Sequence, residues 1–219
     1  FFKQKTAYEI YQCDWSSDVC SSDLHVRFPT EPFRREFPIA TEIPKAELAM
    51  YWPTTDGRDI RLARRLNLLA EVFSDRLRVK VREELGDAYS PGVGSVAGDT
   101  YPGFGYIQAG VTLDPAKAAA IRDVIDRVAA ELASGGIDED ALKRAKEPVL
   151  TSLRESARTN GYWLGNVLAR AQEKPEVLDW CRSRYADNEG ITREELAALT
   201  RKYLPTGRSS SVIVRPAGK

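Results

Sequence analysis

VREELGDAYS, residues 81–90, sets an arginine and a tyrosine seven positions apart across a break in pattern. Arg82 belongs to a charged run that closes a helix, Gly86 interrupts it, and Tyr89 enters a strand. A guanidinium presents planar N–H donors and a phenol presents an O–H. Aimed at one point, the two can bond a carbonyl oxygen or a developing oxyanion. The same residue types equally suit an Arg82 paired with a nearby carboxylate and a half-buried Tyr89. PGVGSVAG (91–98) imitates a dinucleotide fingerprint through Gly92, Gly94 and Gly98. That motif needs a strand before it and a helix after it, so that a pyrophosphate meets a helix N-terminus. Here a long helical pattern precedes and DTYPGFG follows, so the glycines read as part of a twisted strand or bulge where another backbone approaches closely. No G-K-[ST] follows, which excludes a phosphate loop.

Other chemistry is limited by what the chain lacks. A zinc site draws several His, Asp, Glu or Cys ligands together, and Ser–His catalysis needs a histidine base. The chain has one histidine, His25, followed by a Pro-rich arm. It therefore owns neither site. The first 24 residues carry two of the three cysteines, Cys13 and Cys20, yet show neither strand nor helix period. KQKTAYE and DWSSDVCSSDL within them resemble the conceptual translation of a short-read sequencing adapter, with IYQC where a variable index sits. Residues 1–24 are accordingly expected to be an artefact, and the natural frame upstream of His25 to be missing. With them go two basic and four acidic side chains, so 32 against 32 becomes 30 against 28. Near-neutrality argues against a nucleic-acid or membrane-surface binder, and no apolar run approaches spanning length. Of the basic clusters, FRRE (33–36) and RLARRL (61–66), the second places Arg61, Arg64 and Arg65 opposite Leu62, Leu66 and Leu69, a solvated helix face. Cys181, beside Trp180, reads as a buried or half-buried small hydrophobe.

The elements that must position these residues follow from periodicity. KAELAMYW (45–52) alternates, with Ala46, Leu48, Met50 and Trp52 on one face of a strand. Asp56 or Asp59 can cap the next helix, where Leu62, Leu66, Leu69, Phe73 and Leu77 recur every three or four residues up to Gly86. AYSPGVGSVAG and GFGYIQAGVTL suit an antiparallel hairpin. Asp114–Pro115 opens a second helix bearing Ile121, Ile125, Val128 and Leu132, which stops at Gly135–Gly136. Asp138 caps a third helix that Pro148 should kink or split, its pattern resuming through Leu164 and Leu168. Thr192 and Glu195 form a capping box for a short helix ending near Tyr203, and SSSVIVRP closes the chain as a strand. This order predicts an α+β domain: a mixed, mainly antiparallel sheet covered on one face by helices. The expected organisation is an artefactual 1–24, an arm at 25–44 and one domain at 45–219.

Residues 59–95, DIRLARRLNLLAEVFSDRLRVKVREELGDAYSPGVGS, resemble the C-terminal-type domain of the pitrilysin/insulinase family of zinc peptidases. The likeness is greatest to bacterial insulinase-like proteins with two homologous halves, and the element order over 45–216 matches the family's unit. The resemblance implies a catalytic zinc held in a separate N-terminal half by H-x-x-E-H and a distal Glu, with no cofactor bound by this chain. It further implies that Arg82 and Tyr89 reach over a peptide or protein substrate while this domain closes the chamber. The implied partners are the N-terminal catalytic half and that substrate. A catalytically silent structural or assembly subunit and a stand-alone peptide-binding module are the alternatives. A periplasmic or cell-envelope location is implied by family analogy alone.

Overall fold

The computed structural model describes residues 26–85 and 90–217. Five strands form one sheet: β1 (Arg34–Ile39), β2 (Ala46–Pro53), β3 (Gly92–Ala97), β4 (Gly105–Leu113) and β5 (Ser210–Pro216), in the order β1-β5-β2-β4-β3. The pair β1/β5 is parallel and the rest are antiparallel. The helices are α1 (Ile60–Leu85), α2 (Ala118–Ala133), α3 (Glu139–Ser156), α4 (Val177–Glu189) and α5 (Arg193–Tyr203). A π-helix, Tyr162–Leu168, extended by the helical turn Ala169–Ala171, joins α3 to α4.

Strand pleating sends alternate side chains to opposite faces. Ala46, Leu48, Met50 and Trp52 of β2 and Ile107, Ala109, Val111 and Leu113 of β4 are all buried, as the alternation requires. They meet the stripe Leu66, Leu69, Phe73 and Leu77 of α1 and Ile121, Ile125, Val128 and Leu132 of α2, with Trp52 edge-on to Phe73 at 5.5 Å. Each such Leu, Ile or Phe contributes about 1.5–3 kcal/mol by leaving water. The opposite face stays open. It carries Glu47 bonded to Thr112 (2.7 Å), Tyr51 edge-on to Tyr106 (5.6 Å), and Phe28 stacked on Phe104 (4.8 Å).

The caps form where the residue types require. Asp59 accepts from the N–H groups of Arg61 and Leu62, Asp138 from that of Ala141, and Thr192 with Glu195 closes the capping box. Asp56 does different work, accepting from Gly103 (2.6 Å) and so tying the β3–β4 turn to the start of α1.

Four local expectations change. Residues 34–39, read as part of an arm, form the edge strand β1. α3 runs unbroken through Pro148, which sits on its exposed side while Ala141, Leu142 and Ala145 anchor the inner one. Arg144, whose carbonyl Pro148 cannot bond, is itself an exposed residue, so the missing bond falls on the solvent side of the helix. α4 has no apolar stripe to announce it and is held through charged contacts described below. Gly92, Gly94 and Gly98 are not sites of close approach, since a Cβ at any of them would meet nothing within 4 Å. Close approach occurs instead at Gly57 and Gly105, where a Cβ would lie 2.2 Å from the Ala97 carbonyl oxygen and 1.9 Å from that of Thr55.

Candidate functional site

α1 ends at Leu85, and Arg82 is an exposed residue of its last turn. The neighbouring positions alternate in role: Val81 is buried, Glu83 lies 3.9 Å from Lys80, and Glu84 pairs with Arg127 of α2 at 2.8 Å. The chain then returns along α1 as β3, with the Val93 N–H donating to Ser74 Oγ (3.3 Å). Arg82 therefore stands at the end of α1, eight residues beyond Ser74, where β3 meets the helix. Tyr89 lies outside the described residues, so its approach to Arg82 is not described.

β3 is an edge strand, and its free side has a definite pattern. Backbone groups of successive strand residues point alternately to the two neighbours. Val93 N–H turns away from β4 towards Ser74, so Ser95 and Ala97 share that direction. The far end is closed by Gly57 N–H on the Gly98 carbonyl (2.8 Å). Between the two closures lies a groove of about 270 Å3, lined by Ser95, Ala97, Asn67, Arg170 and Trp180 among others. The Ser95 hydroxyl is buried there with no hydrogen-bond partner among the described residues. Over the groove, Asp99 accepts from Arg170 at 2.6 Å and from Lys174. The Lys174 bond, with Arg170 adding to it, holds the Asp99 carboxyl below its usual range.

The basic face of α1 is not solvated as its sequence suggests. The side chains of Arg64 and Arg65 are 9% and 12% exposed and converge on Asp187 of α4, itself 8% exposed, at 3.0 and 3.1 Å. Only Arg61, at 73%, fits the solvated reading. Arg64 also donates to Ser183 Oγ and the Trp180 carbonyl, and Arg65 to Glu195 of α5 (3.0 Å). Burial alone raises the Asp187 pKa, but the hydrogen bonds and charges of Arg64 and Arg65 more than reverse it, leaving the carboxyl below its ordinary value. These arginines assemble the domain. Cys181 is half-buried with a free thiol, which accords with a small apolar role.

Among the described residues, no group of three or more His, Cys, Asp or Glu side chains could hold a metal ion. None of the described helices is long and apolar enough to cross a membrane.

The family described as the peptidase M16 inactive domain matches residues 12–149. The chain belongs to this family. It is a non-catalytic domain of the M16 peptidase type, the grouping to which the pitrilysin/insulinase resemblance points. The chloroplastic stromal processing peptidase of Oryza sativa subsp. indica is 35% identical over 107 residues, 49% of this chain but 8% of the rice protein's length. The fold recurs in the periplasmic protease PqqL of Escherichia coli (TM-score 0.69, 16% identity, 86% of this chain and 21% of that one). It recurs again in the ferredoxin protease FusC, solved in complex with an Arabidopsis ferredoxin (TM-score 0.67, 15% identity, 85% of this chain and 20% of that one). The mixed sheet with helices on one face is thus the architecture of an M16 domain.

Proposed function

We propose that this chain is the non-zinc-binding C-terminal domain of an insulinase-like zinc endopeptidase, and that it closes the chamber and contacts the substrate backbone. On this reading the zinc and its ligands belong to an N-terminal half, with which the domain pairs. The observation that carries the reading is the position of Arg82: exposed, in the last turn of α1, on the stretch of chain that leads into the edge strand β3. A guanidinium there can donate to a peptide carbonyl, and Tyr89 supplies the phenolic donor seven residues on. The edge adds a second contact. Ser95, between the closures at Val93 and Gly98, can exchange a rung of backbone hydrogen bonds with an extended chain. Backbone contacts of this kind select a substrate by conformation more than by sequence.

The experiment mixes this chain with an N-terminal half carrying H-x-x-E-H and follows hydrolysis of a quenched fluorescent peptide, with and without chelator. Arg82→Ala and Tyr89→Phe are each expected to lower kcat/KM by about 10²–10³-fold if the donors act on the transition state, about 2.7–4 kcal/mol. An active pair whose rate neither substitution changes refutes the role. A correctly assembled pair with no chelator-sensitive hydrolysis supports the silent-subunit reading instead.

A further inference from the structure

A cavity of about 520 Å3 opens between α1, α3, the π-helix and α4, away from Arg82. Its charge is one-sided. Three arginines, Arg64, Arg170 and Arg184, line it, and among the described residues no aspartate or glutamate does. Two of the three are neutralised from behind, Arg64 by Asp187 and Arg170 by Asp99. Arg184 is different. Half-buried, it donates to the Leu153 carbonyl and to Ser156 Oγ (2.9 Å), both uncharged acceptors, and no carboxylate lies within ion-pair distance among the described residues. Charges taken partly out of water are ordinarily paired, because an uncompensated one loses hydration without a Coulomb return.

The remaining geometry shows how that cation is held. Its guanidinium carbon lies 3.8 Å from the centroid of the Tyr162 ring, a stacking contact. Stacking fixes the plane of the guanidinium, and with Nη2 occupied by the Leu153 carbonyl and Ser156 Oγ the Nη1 N–H groups and Nε–H are the donors left for a carboxylate, through charge-assisted hydrogen bonds. Tyr162 opens the π-helix, a rare distortion that is frequent at functional sites. Val149, Leu153, Val177 and Trp180 supply an apolar wall beside it. A cavity of this size, with an apolar wall on one side and Arg and Asn side chains on the other, suits a small ligand with an apolar body and a polar head.

We infer that this cavity binds a ligand with an apolar body and one carboxylate, the carboxylate on Arg184 and the body against Trp180 and Val177. The carboxylate can belong to a free organic acid or to an acidic residue of a peptide; the recognition chemistry is the same. This site is separate from the Arg82 region, and the inference does not rest on the peptidase reading.

The test titrates the full chain with 4-phenylbutyrate, with its primary amide, and with acetyl-Phe-Glu amide, following amide shifts of residues 162–184 by NMR. The carboxylate is expected to shift Tyr162, Val167 and Cys181 with a Kd in the millimolar range, and the isosteric amide to bind at least about tenfold more weakly. The peptide binding comparably assigns the source as peptide; the free acid alone binding assigns a small metabolite. Arg184→Gln should lower carboxylate affinity to that of the amide and leave amide binding as it was. Arg184→Lys keeps the charge but not the planar, stacked donors, so it should fall between, and it covers the case in which the glutamine variant fails to fold. Asn166→Trp, at an exposed position of the rim, should block both probes. Equal binding of acid and amide, unchanged acid binding in either Arg184 variant, or no shift at saturating probe overturns the assignment.

Discussion

Among single residues, Asp187 ties α4 to α1, where Arg61, Arg64 and Arg65 meet it. Removing one partner from a buried ion network leaves the others desolvated and unpaired, which costs about 3–5 kcal/mol. Arg64 keeps the Trp180 carbonyl and Arg65 keeps Glu195, so Asp187→Ala should destabilise the domain by about 3 kcal/mol, the low end of that range, in urea unfolding. The pH dependence has a fixed sign. The folded-state pKa of Asp187 is lowered, so the unfolded chain binds its proton more readily. The stabilisation is fully present above the pKa of an unfolded aspartate, about 3.9, and disappears as pH falls through the lower folded value. Asp99 is shifted the same way, so it adds to the acid limb of the wild type. Asp187→Asn should therefore differ most from wild type near neutrality and converge with it below about pH 4. A gap that persists unchanged into strong acid would show that packing, and not charge, holds α4.

At the scale of elements, the glycines separate into two kinds that sequence alone treats alike. Gly57 lies under the Ala97 carbonyl oxygen, 2.2 Å from where a Cβ would be, and backbone on both sides cannot give way cheaply. Gly57→Ala should cost about 1–3 kcal/mol, the range of overpacking, with hydrogen exchange accelerated at the β3–β4 turn. Gly94→Ala meets nothing within 4 Å and should be neutral or slightly stabilising, since it removes freedom mainly from the unfolded strand. Equal losses at both positions would contradict the distinction. The elements legible in sequence were those whose own periodicity faces a common core. Leu48, Met50 and Trp52 announce β2, Leu66 to Leu77 announce α1, and Thr192 with Glu195 announces α5. α4 was not legible, because its hold on the domain is Asp187 against distant arginines. β1 was hidden because Pro38 and the charges of Arg34, Arg35 and Glu36, which suit an edge strand, read as an arm. Of the candidate site, the helix-end position of Arg82 followed from the break at Gly86, and the geometry of Tyr89 lies outside the described residues. The Arg184 cavity had no sequence signal, as its walls come from four segments.

For the whole molecule, the decisive asymmetry is between β1, the outer strand, and β5, the strand it covers. β1 covers β5 in parallel register from Arg34↔Ser211 to Ile39↔Pro216, and its charges and proline discourage further strands from adding outside it. β5 itself has no such protection: half-buried Val212 and Val214 flank buried Ile213. Two truncations separate the contributions. A chain beginning at Val26 lacks the adapter-like segment but keeps β1, and should melt within about a degree of the full chain; an appreciable fall in Tm would show that residues 1–24 matter to folding. A chain beginning at Lys45 loses β1 as well. All six β1 residues are exposed, so little apolar burial goes with them, and the loss is chiefly of backbone pairing. Each kcal/mol lost lowers Tm by about 2–4 °C at this size. The larger effect is on association, because the uncovered β5 edge offers unpaired N–H and C=O groups flanked by valines. Size-exclusion chromatography should show the Lys45 chain as dimers and larger species where the Val26 chain is monomeric. Val212→Lys and Val214→Lys should restore the monomer without restoring Tm, since charge blocks a second strand but does not replace the first. A Lys45 chain that stays monomeric and melts with the parent would mean that β1 is an appendage, and that the sheet is complete with four strands.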